Sequence, residues 1–474
     1  MKRREFIKAA GLVGGSVVAG RAALAAEFPL HRLFAGKRPN ILFIMTDQQS
    51  ADAMSCRIGS NYLKTPAMDS LAARGVSFER AYTPNPLCVP ARSSIFTGHY
   101  PHVTGIQTNT DISKQMNPAH RCLGTYFRDA GYDTGYFGKW HMPFPVKDTA
   151  VHGFDTMDAV KNNGIDAAIP PLATAFIEKK REKPFFLVTS FVNPHNICEW
   201  ARDEELPDGA VGVPPPPDQC PPAVENLNPM ADETDTMVLM RKSMQASRLF
   251  PVGNFDEAKW RQYRWAYYRL IEKVDGYIGT ILDALCTSDQ LENTITVFTA
   301  DHGDMQGAHR WNQKTVLYEE SSNVPLIISV PGGKKGARCS HLVNTGIDLL
   351  PTLCSLAGIP VPEGLPGLNL KASVENPGLA DPRTYVVVQN KMTQGSPIDG
   401  QKPEPAGRMV RSQRFKYCVY DLGDRRESLV DLENDPGETV NLVHMKEYAE
   451  ELERHRQYLR EWCQSANDSF VVPQ

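Results

Sequence analysis

The 474-residue chain has ten cysteines but no CxxC pair and no tight cysteine repeat; they are scattered from Cys56 to Cys463. Spacing therefore offers neither a zinc site nor a disulfide connectivity. Excess charge is lacking too, because a formal net charge of -4 creates no general attraction for nucleic acid or for an anionic membrane. Any anion the protein binds must be held by local positive groups. No apolar run approaches the roughly 20 residues that cross a bilayer, so stable membrane insertion of the mature chain is not expected. No internal repeat is present. What remains is an ordinary globular composition, 41% hydrophobic and 22% charged, on a chain too long for one compact core.

The N-terminus has its own logic. Paired Arg3 and Arg4 precede a weakly apolar stretch from Ala9 to Gly20, and small residues follow at Ala23 and Ala25. Basic, apolar and small-residue regions in that order resemble a twin-arginine export signal spanning residues 1–25. The expectation is an exported protein, periplasmic or secreted, whose partners include the export machinery.

Beyond the leader, apolar runs of buried-strand length recur, each followed by a polar or Gly/Pro cluster and then a helical pattern. They are "NILFIMTD", "YDTGYFGKWH", "PFFLVTSFVNPH" and "NTITVFTADHGD". This alternation predicts an α/β fold with a mainly parallel sheet sandwiched by helices. Trp260 to Leu285 carries helical spacing and should pack on the sheet. "VPPPPDQCPP" reads as a surface loop. A Pro/Gly stretch reaching about Pro382 marks a boundary, so a larger unit over 38–365 and a C-terminal one over 366–474 are expected. In the latter, "GRMVRSQRFKYCVYD" and "RRESLVDLENDPGE" read as a small antiparallel system, followed by a helix from Lys446 to Cys463.

In an open α/β sheet, ligands collect at the carboxyl ends of the strands, where loops and helix N-termini converge. Read together, those ends are Asp47-Gln48, then Lys139 and His141, then His195, then Asp301-His302 with Asp304 beyond; Lys314 follows in "HRWNQKTVLYEES". Singly, each has an ordinary alternative. An aspartate after a strand caps helices, a histidine is often a satisfied structural group, and a lysine is usually solvated. Their shared position gives them joint weight. In "CVPARSSIF", Pro90 and Ala91 open a helix and leave Cys88 at its N-terminal edge, where negative charge is favoured. Arg92, one turn on, can reach an oxyanion from the same face.

Cys-x-Pro-x-Arg followed by an apolar pair and Thr-Gly, here Cys88 through Gly98, resembles the activation signature of the formylglycine-dependent sulfatases of the alkaline-phosphatase superfamily. The resemblance runs from "PNILFIMTD" to "YDLGDRRESLVDLENDPGETVNL". It implies that a separate maturase converts Cys88 to formylglycine, and that Asp47, Gln48, Asp301 and His302 surround a calcium ion with the modified Cys88. Arg92, Lys139, His141, His195 and Lys314 would bind sulfate and manage protons, with His195 as acid for the leaving alcohol and His141 serving collapse of a sulfo-enzyme intermediate. It also implies a larger alkaline-phosphatase-like domain carrying the site and a smaller C-terminal domain with an antiparallel sheet. Ala91 stands where Ser is frequent in that family, Gln48 where a second Asp is frequent, and His302 where Asn is frequent. Imidazole is a poor calcium ligand, which singles out His302.

The expected substrate class is a carbohydrate sulfate ester, as in glycosaminoglycan degradation, with Trp200 and Trp311 as aromatic neighbours for sugar faces. Two rival readings stay open. One is a phosphonate or phosphate ester hydrolase of the same superfamily. The other is a sulfated-glycan-binding protein whose cysteine is never converted.

Overall fold

A computed structural model describes residues 38–162 and 164–473; the proposed export signal lies outside them. Eight strands form the large sheet: β1 (Asn40–Asp47), β2 (Val76–Tyr82), β3 (Asp133–Gly138), β4 (Thr156–Asp158), β5 (Phe185–Pro194), β6 (Thr294–Ala300), β7 (Leu326–Ser329) and β8 (Ala337–Asn344). Their order is β4-β3-β5-β1-β6-β7-β2-β8. All neighbours run parallel except β7, which is antiparallel to both β6 and β2. Each of the four apolar runs forms a strand. β1 and β5 are buried along their whole lengths, as continuous apolar runs must be when helices cover both sheet faces.

Those helices divide the core in two. The helix Glu257–Thr287 is capped by Asp256, whose carboxylate accepts from the Lys259 N–H at 2.8 Å. It lays Tyr263, Tyr267, Leu270, Val274 and Ile278 on one face of the sheet with Leu42, Ile44 and Leu187. On the other face, the helix Cys88–Thr97 is buried along its whole length. Phe96 anchors it, edge-on to Phe43 with ring centroids 6.1 Å apart and within 6.2 Å of Phe154. The helix carrying the sequence's one Cys-x-Pro-x-Arg motif is therefore fixed in the core rather than laid on the surface.

Register decides where the strand ends meet. Asp47 pairs with Pro194, Thr46 with Ala300, and Gly138 with Ser190. The residues that follow these positions leave the sheet at one edge. Gly138 adopts φ +101, and a Cβ there would meet the Ser190 carbonyl oxygen at 2.0 Å. Only glycine makes this turn, which aims Lys139 along the rim.

The C-terminal sheet is antiparallel, in order β12-β11-β10-β9, from β9 (Tyr385–Lys391), β10 (Ala406–Ser412), β11 (Phe415–Tyr420) and β12 (Glu427–Asp431). The terminal helix runs Ala449–Ala466 after a short 3-10 turn at Lys446–Tyr448, slightly later than its sequence pattern suggests. Leu459 and Trp462 pack it against Val387, Val410 and Tyr417. A buried ion network ties this sheet to the large one: Lys416 on β11 meets Glu438 at 2.6 Å and Glu319 at 3.2 Å. None of the ten cysteines is paired. Among the described residues, no helix is long and apolar enough to cross a membrane.

Candidate active site

Asp47, Cys88, Asp301 and His302 each direct one ligand atom to a common point, those atoms lying within 4.8 Å of one another, and all four residues are buried. Asp47 ends β1, Asp301 follows β6, and Cys88 begins its helix, so two strands and one helix N-terminus supply the cluster. The Cys88 sulfur lies 3.1 Å from His302 Nε2 and 3.9 Å from Asp47 Oδ1. His302 Nδ1 faces the Gly303 carbonyl oxygen at 3.1 Å. A carbonyl only accepts, so Nδ1 carries a proton and Nε2 is the nitrogen turned to the cluster. Burial opposes charge on the ring, but Asp301 and Cys88 raise its pKa, so Nε2 offers a lone pair when a cation takes the place of its proton.

Positive groups surround these acids. The Arg92 guanidinium, fully buried, donates through Nε to Asp301 Oδ2 at 2.8 Å and through Nη2 to Asp47 Oδ2 at 3.0 Å. Its Nη1 donates to the Lys139 carbonyl and to Ser190 Oγ. Four of the five N–H groups are thus turned to protein acceptors: Arg92 braces the two carboxylates, beside the anion-binding part that the sequence suggested for it. Two buried carboxylates at one point need a counter-charge, and the residue one turn into the helix is the one placed to give it. Lys139 Nζ lies 2.7 Å from Asp47 Oδ2 and 4.0 Å from the Cys88 sulfur.

Titration behaviour follows from this crowding. Burial opposes the charge on Asp47, but Lys139, His195 and Arg92 together hold it well below the usual carboxylate range. Asp301 is pushed up to about 6 by burial and by the nearby Asp47 charge. Burial and Asp47 oppose ionisation of the Cys88 thiol, yet Lys139, Lys314 and His302 bring it well below its ordinary value. His195 is driven down to about 4 by burial and by Lys314 and Lys139. Burial also lowers His141, against a hydrogen bond to Cys88 that raises it. His141 has a left-handed backbone, φ 46, with its N–H on Asn162 Oδ1 at 3.0 Å. The ring nitrogens Nδ1 of His141 and His195 have no protein partner.

The ten residues that the sequence proposed for catalysis and metal binding therefore lie at one rim. Gln48 differs in its partners: its Oε1 accepts from Lys314 Nζ at 2.6 Å and its Nε2 donates to Asp304 Oδ2 at 2.7 Å. Asp304, noted in sequence just beyond Asp301-His302, lies here too, whereas sequence reasoning passed over Ser190 and Tyr263 as site residues. Ser190 was legible as one of two adjacent hydroxyls, with Thr189, inside a mainly apolar strand, whereas Tyr263 lies in the helix Glu257–Thr287 and reaches the site only through folding. Trp311 does not face a ligand; it is 2% exposed, in the core between the two sheets. Trp200 stands edge-on to Tyr263 at 6.0 Å, beneath the Lys259 ammonium.

The donor set suits a divalent cation. Two carboxylates and an imidazole lone pair converge, and mutual repulsion already raises Asp301. The cysteine, nearly inaccessible at 1% exposure, sits between cations rather than beside a second thiol.

The chain is similar to known proteins along most of its length. The sulfatase family model matches residues 39–359, and the model for the C-terminal region of N-sulphoglucosamine sulphohydrolase matches 307–465. A Delta 4,5-hexuronate-2-O-sulfatase of Bacteroides thetaiotaomicron is 29% identical over 452 residues, 92% of this chain and 91% of that protein. The solved structure of a 2-O GAG sulfatase superposes with a TM-score of 0.80 at 29% identity, covering 92% of this chain and 95% of the other. A third protein, solved in complex with its substrate D-glucosamine-2-N,6-O-disulfate, superposes with a TM-score of 0.72 at 25% identity, covering 91% and 99%.

Proposed function

The chain belongs to the sulfatase family and is a sulfuric ester hydrolase; from that premise we propose that it removes sulfate from a sugar of a glycosaminoglycan-type carbohydrate, with Cys88 converted to formylglycine by a maturase. The observation that carries this reading is the buried cluster at the N-terminus of the Cys88 helix, where Asp47, Asp301 and His302 face the cysteine and Lys139 and Lys314 supply positive charge. The similarity to sulfatases that act on a hexuronate and on glucosamine disulfate supports the sugar class. Export across a membrane and a division into units over 38–365 and 366–474 belong to the same proposal.

Asp47, Asp301 and His302 would hold one divalent cation beside residue 88, calcium by family expectation; Gln48, the other donor of that expectation, has its amide oxygen turned to Lys314 instead. When bound, such a cation supplies Lewis-acid polarisation of oxygens held against it. A formylglycine at residue 88 would supply, once hydrated, a hydroxyl nucleophile at neutral pH. The remaining work falls to side chains. Lys139 and Lys314 meet the sulfate oxygens in a site where burial makes their charge count. Arg92 fixes Asp47 and Asp301 so that the carboxylates need no rearrangement during reaction. His195 gives a proton to the departing sugar oxygen: burial and the two ammonium groups hold it neutral in the free protein, and a seated anion offsets the ammonium part of that bias. His141 stands across the cluster as the second proton carrier.

The test has two arms. Mass spectrometry of the peptide containing Cys88, from protein made with a maturase, should find an aldehyde there, and Cys88→Ala should abolish sulfate release. A panel of defined sulfated mono- and disaccharides should then show turnover of at least one member, faster than any aryl phosphonate ester. Recovery of unmodified Cys88 from fully active protein would overturn the nucleophile. Faster phosphonate turnover would move the activity to another ester.

A further inference from the structure

The structure assigns Asp304 a positioning role in this sulfate chemistry: through the Gln48 side chain it holds the Lys314 ammonium toward Cys88. The inference rests on the proposed sulfate-ester reading, in which Lys314 meets the substrate anion.

The argument is one of hydrogen-bond direction. Gln48 is fully buried, in a left-handed conformation (φ 67) just past β1. Its amide spans two charged residues, with Nε2 2.7 Å from Asp304 Oδ2 and Oε1 2.6 Å from Lys314 Nζ. An ammonium only donates and a carboxylate only accepts, so the chemistry of the partners fixes which way the amide faces. Asp304 is itself held on three sides. Tyr263 OH donates to its two oxygens at 3.2 and 3.0 Å, the Gln306 N–H donates to Oδ1 at 2.8 Å, and its own N–H and carbonyl meet Ser50 Oγ. Three donors therefore point at one carboxylate, and each of these side chains is nearly or wholly inaccessible. Cys198 Sγ, 3.4 Å from Gln48 Nε2 and 3.6 Å from Oε1, is too weak a partner to set the orientation. Lys314 and Cys88 act on one another electrostatically. A lysine otherwise swings on four rotatable bonds; the Gln48 oxygen removes that freedom and leaves its remaining N–H groups for an anion.

Gln48 is thereby a positioning residue as well, its carbonyl oxygen directed to Lys314. Asp304→Asn offers one acceptor where three donors converge. The Gln48 amide then turns over to pair with the new NH2 group and presents its own NH2 to Lys314, which must move away. The expected result is a fall of about 10–100-fold in kcat/KM for a sulfate ester, with weaker inhibition by inorganic sulfate. Gln48→Glu alone keeps an acceptor for Lys314 but sets two carboxylates against each other, and activity falls as well. The double variant Gln48→Glu with Asp304→Asn restores complementarity, because a carboxylate accepts from both the asparagine NH2 and Lys314. It should be more active than either single variant.

Rescue is the outcome that a merely structural role does not predict. If Asp304→Asn does not fold, Gln48→Glu against the double variant makes the same comparison. A double variant no better than Gln48→Glu, or Asp304→Asn with wild-type kcat/KM and sulfate inhibition, would overturn the role of Asp304 while leaving the proposed function intact. A converted wild-type protein that turns over no sulfate ester and binds no sulfate would overturn both.

Discussion

Arg92 illustrates how burial changes the meaning of a residue. On a helix face in sequence it is a candidate anion receptor; in the structure its guanidinium lies between Asp47 and Asp301, at 3.0 and 2.8 Å, with no exposed surface. On the proposed function, the groups left to meet a substrate are Lys139, Lys314, His141 and His195. The two histidines have separable tasks at this scale. If His195 protonates the departing sugar oxygen, His195→Ala should slow an alkyl-type sugar sulfate far more than an activated aryl sulfate, whose phenolate needs little help. His141→Ala should slow both alike. Steady-state rates for the two ester types decide this, and equal leaving-group sensitivity in both variants would reject the assignment.

The loop after β6 carries three site residues, Asp301, His302 and Lys314, and its backbone is unusual. Left-handed φ values occur at Gln306, His309, Arg310, Gln313 and Thr315, none of them glycine. Such a path persists only where the surroundings over-determine it. His309 contributes: its ring stacks on Tyr318 with centroids 4.0 Å apart, and burial, Lys416 and Arg241 drive its pKa down to about 3. A base depressed in the folded state leaves the unfolded chain holding the extra proton as pH falls. Stability therefore declines progressively from about pH 6.5, the ordinary histidine value, toward pH 3, and is unaffected by this group above that window. In urea titrations, His309→Gln should flatten the loss between pH 6.5 and 4 relative to the wild type. Equal acid slopes in the two proteins would show that the loop is held by other means.

For the whole molecule, the acid cluster is a linkage point between ligand binding and folding. Asp47, Asp301 and His302 come from segments more than 250 residues apart in sequence, so the unfolded chain presents no equivalent site. A divalent cation that binds only the folded form stabilises it by mass action, about 2.7 kcal/mol at a hundredfold excess over Kd. Thermal unfolding of metal-stripped protein should rise in Tm with added cation, and Asp301→Asn should remove most of the response. Comparing calcium with manganese in this assay reads how the His302 imidazole weighs against the two carboxylates. A Tm indifferent to every divalent cation would exclude a metal from this cluster.

The sequence by itself determined the α/β class, the four core strands and the long helix, because apolar periodicity is a local pattern and each run is long enough to declare itself. It also pointed to residues that the fold brings to one rim, since chemically distinctive residues sit at the end of each strand and Cys-x-Pro-x-Arg is a contiguous motif. The short strands β4 and β7, only 3 and 4 residues long, and the partner choices within the site were decided by the tertiary structure alone. Whether Arg92 faces an anion or two aspartates, and whether the Gln48 oxygen meets a metal or Lys314, depends on which charges lie across a gap of about 3 Å. Those charges arrive from strands whose register, not whose sequence separation, brings them together.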